Sequence, residues 1–134
     1  MKEKRTDGFT LFELLVTISI IAVLTAVAVV SFGGMTKKAR DSRRMADLEK
    51  MRIALESLKQ IGSTYPSTSN FSNSLIGSSL LPQIPKDPKT GSTYPYTGTN
   101  YTYQIGASME DLGSTNNSSF SCGGGSCNYK VVNP

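Results

Sequence analysis

The hydrophobic pattern changes character twice along the chain. From Leu14 to Phe32 the residues are apolar apart from Thr17, Ser19, Thr25 and Ser31. A helix of roughly 19 residues rises ~28 Å at ~1.5 Å per residue, close to the ~30 Å hydrocarbon thickness of a bilayer. The run therefore predicts a single membrane-spanning helix. Over residues 35–61 the apolar positions narrow to a stripe. Leu48, Met51, Leu55, Leu58 and Ile61 recur three and four apart, while Arg43, Asp47, Lys50, Arg52, Glu56 and Lys59 fall mainly elsewhere. That spacing is an amphipathic helix with one buried face. Its exposed face is expected to carry the pairs Arg43–Asp47, Glu49–Arg52 and Glu56–Lys59, each a few tenths of a kcal/mol. Gly33 and Gly34 sit between the two patterns and predict a bend or a locally melted turn, since each costs ~1 kcal/mol against Ala in a helix. Gly62 predicts the stop.

After Gly62 the composition shifts to Ser, Thr, Asn, Gly and Pro. Residues 63–79 read as a loop with one short helical turn, anchored by Tyr65, Phe71, Leu75 and Ile76. The prolines at 82, 85 and 88 keep residues 80–88 extended. Tyr94-Pro95-Tyr96, a turn at Thr97-Gly98-Thr99-Asn100, and Tyr101-Thr102-Tyr103-Gln104-Ile105 predict an antiparallel hairpin, with Pro95 keeping the first strand short or at an edge. The alternating tyrosines 94, 96, 101 and 103 read as packing and cross-strand partners. A last strand is expected at Tyr129-Lys130-Val131-Val132.

Composition adds limits. Once the apolar run is set aside, roughly 100 residues remain, enough for one small core. The net charge of +4 is unremarkable and points to no polyanionic partner. Lys37, Lys38, Arg40, Arg43 and Arg44, with Asp41 among them, form a basic cluster. It suits a solvated collar beyond the membrane or a contact with lipid heads, DNA or a neighbour's acids; no aromatic stands nearby to stack on bases, so nucleic acid is not indicated. The chain has no His, no Ser-centred nucleophile elbow and few acids beyond residue 62, so no catalytic set is visible and a membrane-tethered enzyme is the weakest reading. Cys122 and Cys127 cannot form a structural zinc site alone. Outside the membrane they would close a small disulfide loop; a redox-active pair is the alternative, and the Gly-rich spacer favours the structural role.

Residues 1–7 are a charged leader that ends at Gly8, followed by Phe9 and, at the mouth of the apolar run, Glu13. A carboxylate inside such a run is expensive, roughly 2.5 to 3.5 kcal/mol at a bilayer centre and less near an edge. This arrangement resembles the cleavage and methylation site of type IV prepilins and of the pseudopilins of type II secretion. The likeness holds position by position over residues 8–16 and more loosely along the helix that follows. Pro85-Lys86-Asp87-Pro88, with Gly91 and the tyrosines at 94 and 96, is also similar to the lysine-aspartate-proline stretch before the sheet of major pseudopilins and related pilins. Many pilins carry a proline in the long helix; here Val30 and apolar neighbours stand instead.

The resemblance implies cleavage after Gly8 by a membrane peptidase and N-methylation of Phe9. It keeps the leader in the cytoplasm and exports the C-terminal part, although counting basic residues alone would favour the reverse. It implies that Glu13 pairs with the new amine of a neighbouring subunit, where a plain helix-end acid favouring the helix dipole is the simpler reading. Major pseudopilins often hold Ca²⁺ in a loop after their strands; Glu110 and Asp111 fall roughly there, without the dense acid spacing such a site needs. The expected fold is α+β and type IV pilin-like, a long N-terminal helix packed on a small three- or four-stranded antiparallel sheet. The expected divisions are a leader at 1–8, a hydrophobic helix at 9–34, an amphipathic helix at 35–61 and a head at 62–134. The expected function is a structural subunit of a type IV pilus or secretion pseudopilus, anchored in the cytoplasmic (inner) membrane before assembly. Its partners would be identical subunits, the prepilin peptidase, the assembly platform and membrane lipid. The alternative is a minor subunit acting as a binding module at the filament tip.

Overall fold

The computed structural model describes residues 8–62, 64–116, 120–122 and 125–134. The leader expected at 1–8 lies outside them except for Gly8. The chain divides between Thr36 and Lys37 into two compact units. Helix α1 (Leu11–Gly62, 52 residues) runs through both. It continues across Gly33 and Gly34 without a break, so the melted turn expected there is absent. A penalty of ~1 kcal/mol per glycine is too small to interrupt so long a hydrogen-bond ladder.

In the first unit the apolar side chains of α1 are exposed around the whole helix, among them Ile18, Ile20, Ile21, Val23 and Leu24. A helix that is hydrophobic on every side needs lipid or other helices around it. Its hydroxyls follow the same rule: Thr17 donates to the Leu14 carbonyl at 2.8 Å, Ser19 to Val16 at 2.7 Å and Thr25 to Ile21 at 2.7 Å. Each of these three hydroxyls is thus satisfied within the helix, as a water-free surrounding demands.

In the second unit, α1 buries Leu48, Met51, Ala54 and Leu55 against α2 (Phe71–Gly77) and a three-stranded antiparallel sheet in the order β1-β2-β5. The strands are β1 (Tyr96–Gly98), β2 (Tyr103–Ala107) and β5 (Tyr129–Val132), with β3 (Phe120–Cys122) and β4 (Gly125–Cys127) forming a separate two-stranded sheet. The hairpin register pairs Tyr96 with Ile105 and Gly98 with Tyr103. The turn therefore centres on 99–102, two residues later than its sequence suggests, where the Thr99 hydroxyl accepts the Thr102 N–H and the Thr99 N–H donates to the Thr102 carbonyl. Gly98 is needed as such: a Cβ there would run into the Tyr96 hydroxyl and the Pro66 carbonyl oxygen, which bond each other at 2.7 Å.

Several polar positions depart from the expected face. Ile61 is 75% exposed, beyond the end of the stripe it was expected to join, because the sheet and α2 cover the helix only as far as Leu58. Tyr94, Tyr96 and Tyr103 are buried, whereas Tyr101 lies in the turn and is exposed. Glu49 and Arg52 pair at 3.3 Å, but the other two expected pairs are replaced. Asp47 is buried, meets Lys50 at 3.5 Å and accepts the Tyr94 hydroxyl at 3.3 Å. Glu56 accepts the hydroxyls of Tyr65 and Tyr103, both at 3.0 Å. Buried phenols need acceptors, and these two carboxylates serve them.

Truncating the stripe tests its role. Leu55→Ala should lower the unfolding free energy by about 2–5 kcal/mol through lost burial and a residual cavity. Ile61→Ala should stay within about 0.5 kcal/mol, both read from urea denaturation of the detergent-solubilised chain.

Candidate functional site

The first candidate lies at the start of α1, in the first unit. Thr10 and Glu13 hold each other reciprocally: the Thr10 N–H and hydroxyl both donate to Glu13 Oε2 at 2.9 Å, and the Glu13 N–H donates to Thr10 Oγ1 at 3.2 Å. This is a capping box, in which two otherwise orphaned donors of the first turn are satisfied by the flanking side chains. The Thr-x-x-Glu spacing was visible in the sequence. The helix-end role expected of Glu13 as the simpler reading is thus present, and it uses one carboxylate oxygen, Oε2. Gly8 and Phe9 precede the box, Phe9 being 88% exposed.

The second candidate lies within the second unit and centres on Arg44. The Arg44 side chain is 2% exposed. Its Nε and Nη2 fork onto both oxygens of Asp87 at 2.6 and 3.2 Å, and Nη1 reaches Asp41 at 2.6 Å and Glu110 at 3.0 Å. Arg40 adds its own fork onto Glu110, with both bonds at 2.7 Å, and Lys89 reaches the same carboxylate at 3.1 Å. Asp41, fully buried, also accepts the backbone N–H groups of Glu110 and Asp111 at 3.0 and 2.7 Å. Three cations meet three acids, and among the described residues no buried side-chain polar atom lacks a partner. The basic cluster is accordingly no uniform collar: Arg40 and Arg44 are turned inward into ion pairs, and Lys37, Lys38 and Arg43 are exposed.

The signal for Asp41 and Arg44 was the spacing itself. Positions 41, 44, 48, 51 and 55 continue the buried stripe two turns towards the N-terminus, and polar residues on a buried face must be paired. Asp87 came with the Lys-Asp-Pro stretch but not its partner, which is 43 positions away.

The electrostatics follow from the pairing. Burial opposes ionisation of Asp87, but the Arg44 hydrogen bonds and the N–H groups of Thr90 and Lys89 outweigh it and bring its pKa down from 3.8 to about 2. Hydrogen bonding from Arg40 holds the Glu110 carboxyl well below the usual range, with Lys89 and Arg44 adding to it. Such a set offers no free nucleophile or base. Of the two acids weighed for calcium, Glu110 has both oxygens held by cations, and Asp111 Oδ1 accepts the Gly113 N–H at 3.2 Å. Among the described residues no three His, Cys, Asp or Glu side chains converge as a metal site. Cys122 and Cys127 are joined in a disulfide across the β3–β4 pair.

Comparison with known proteins connects these features. Residues 4–29 match the family described as the prokaryotic N-terminal methylation motif. The chain is similar to type II secretion system core protein G of Vibrio cholerae, at 27% identity covering 84% of this chain and 88% of that one. It is similar to the proteins of the same description from Dickeya chrysanthemi, at 31% identity over 72% of this chain, and Aeromonas hydrophila, at 28% over 68%. The matched regions span 59% and 64% of those two relatives' own length. No solved structure matches the chain significantly.

The ion-pair set makes a signed pH prediction. Both carboxyls have folded-state pKa values below their unfolded ones, so their contribution is present above about pH 4 and is lost as pH falls through the folded values. The thermal midpoint should drop between about pH 5 and pH 2. Arg44→Met, which strands Asp41 and Asp87, should cost about 3–5 kcal/mol, whereas Lys89→Ala, at an exposed cation, should cost under about 1 kcal/mol. Circular dichroism melts across the pH series check all three.

Proposed function

We propose that this chain, which is similar to type II secretion pseudopilins and carries the prepilin methylation motif, is a non-enzymatic subunit of a secretion-type pseudopilus. A peptidase cuts after Gly8 and methylates Phe9, the leader staying on the cytoplasmic side. The apolar part of α1 holds the subunit in the inner membrane, and the assembly platform then moves it into a periplasmic filament of identical subunits. Lipid tails are as apolar as the helix, so extraction has little hydrophobic drive of its own. Helix packing and a specific charge contact must supply it.

The observation that carries this reading is the use of Glu13. Its capping bonds end on Oε2, which leaves Oε1 to accept the amine that cleavage creates on a neighbour's Phe9. In a helix bundle of low dielectric, an unpaired Glu13 would cost about 3–5 kcal/mol. Capping and pairing are therefore compatible roles of one carboxylate.

Mass spectrometry of the chain from membranes of a host with its prepilin peptidase should find an N-methylated Phe9 at the N-terminus; an intact Met1 would sink the reading. Glu13→Leu should leave cleavage unchanged and stop incorporation into sheared filaments, scored by immunoblot.

A further inference from the structure

Beside α1, Arg43, Lys50 and Lys86 line a cleft of about 420 Å³ together with Leu81 and Ile84. All three cations are exposed, and the acid among them, Asp47, is already shared between Lys50 and the Tyr94 hydroxyl. The cleft thus combines a net positive lining, with Arg43 and Lys86 free of ion pairs among the described residues, and apolar side chains.

The same unit carries a projection of opposite character. The Asp111 N–H is clamped to Asp41 at 2.7 Å, and the short 3₁₀ turn Leu112–Ser114 follows, capped by the Asp111 side chain. Leu112 is 83% exposed at its start. Asp111 makes no ion pair among the described residues, so the turn presents an acid beside an apolar side chain on a base held rigidly by buried hydrogen bonds. Such preorganisation lowers the entropy cost of docking.

The two features lie on opposite flanks of one helix. At ~100° per residue, Asp41, which holds the turn, and Arg43, which lines the cleft, are ~200° apart, while Lys50 falls on the Arg43 side. Complementary patches on opposite flanks cannot satisfy each other in a two-fold dimer that uses one patch twice. They make a head-to-tail contact, which extends into an open filament. We propose that the Asp111–Leu112 turn of one subunit docks into the Arg43–Lys50–Lys86 cleft of the next, Leu112 covering Leu81 and Ile84 and Asp111 facing the three cations. This deepens the filament reading above and rests on it.

The test uses the full-length chain in a host with its peptidase and assembly platform. Gln83→Cys, at the cleft mouth, and Leu112→Cys are placed in two differently tagged, co-expressed copies, and filaments are oxidised before shearing. A covalent dimer carrying both tags is expected only when both substitutions are present. In filaments without the added cysteines, Lys86→Glu should lower assembly about fivefold, the scale of one exposed ion pair, and it should have less effect in an Asp111→Asn chain, where the pair is already broken. Because Asp111 caps its turn, Asp111→Asn, which keeps an accepting oxygen, is the control and should also weaken assembly. Filaments that form without the mixed dimer, or Lys86→Glu and Asp111→Asn effects that are absent or simply multiply, overturn the contact alone. Failure of the unsubstituted chain to form filaments overturns the pseudopilus reading and the contact with it.

Discussion

Arg44 is a guanidinium taken out of water on the buried face of a helix, and a charge so placed must be matched or the head cannot close. Its match comes from three places in the chain: Asp41 one turn earlier, Asp87 in the proline-rich loop, and Glu110 after β2. A buried ion pair contributes little net stability over a hydrophobic replacement. Its contribution here is to specify where the loops go. An apolar contact would tolerate a loop shifted by a residue; a forked arginine facing a carboxylate does not.

The consequences spread from that point. Asp41 fixes the Glu110 and Asp111 backbone, and Asn128 clamps the neighbouring Met109 through its N–H at 2.7 Å and its carbonyl at 3.0 Å. Asn128 directly follows Cys127, so the disulfide-linked β3–β4 pair is tied to the segment that meets the arginine. Asp87 is held as firmly from its own loop, with Oδ1 accepting the Lys89 and Thr90 N–H groups and Gly91 completing the turn at a φ of +71°. The extended 80–88 stretch and the post-strand loop converge on one side chain of α1.

The first unit obeys a different solvent rule. Its apolar side chains face outward on all sides and its hydroxyls bond back to the helix, so nothing within the unit competes for them. Glu13 is the exception, and the capping box reduces its cost by giving the carboxylate N–H and hydroxyl donors in the first turn.

Local pattern was sufficient for whatever depends on neighbours in sequence. The apolar run, the stripe at Leu48, Met51 and Leu55, the helical turn near Phe71 and the strand at 129–132 are all short-range, as is the Gly8–Phe9 motif that carries the resemblance. Tertiary structure decided what depends on distant partners. Asp47 and Glu56 look like exposed helix charges until buried tyrosines claim them, and Arg40 and Arg44 look like a solvated collar until Glu110, 66 positions beyond Arg44, turns them inward. The hairpin turn moved by two residues because the pairing of Tyr96 with Ile105 places both in the core. The sequence by itself determined the long helix, the membrane-apolar run and the last strand, because those follow from period and length, but not the β3–β4 pair or the place of the hairpin turn. Only the folded head decided which charges are buried, because a charge is paid for by a partner that may stand anywhere in the chain.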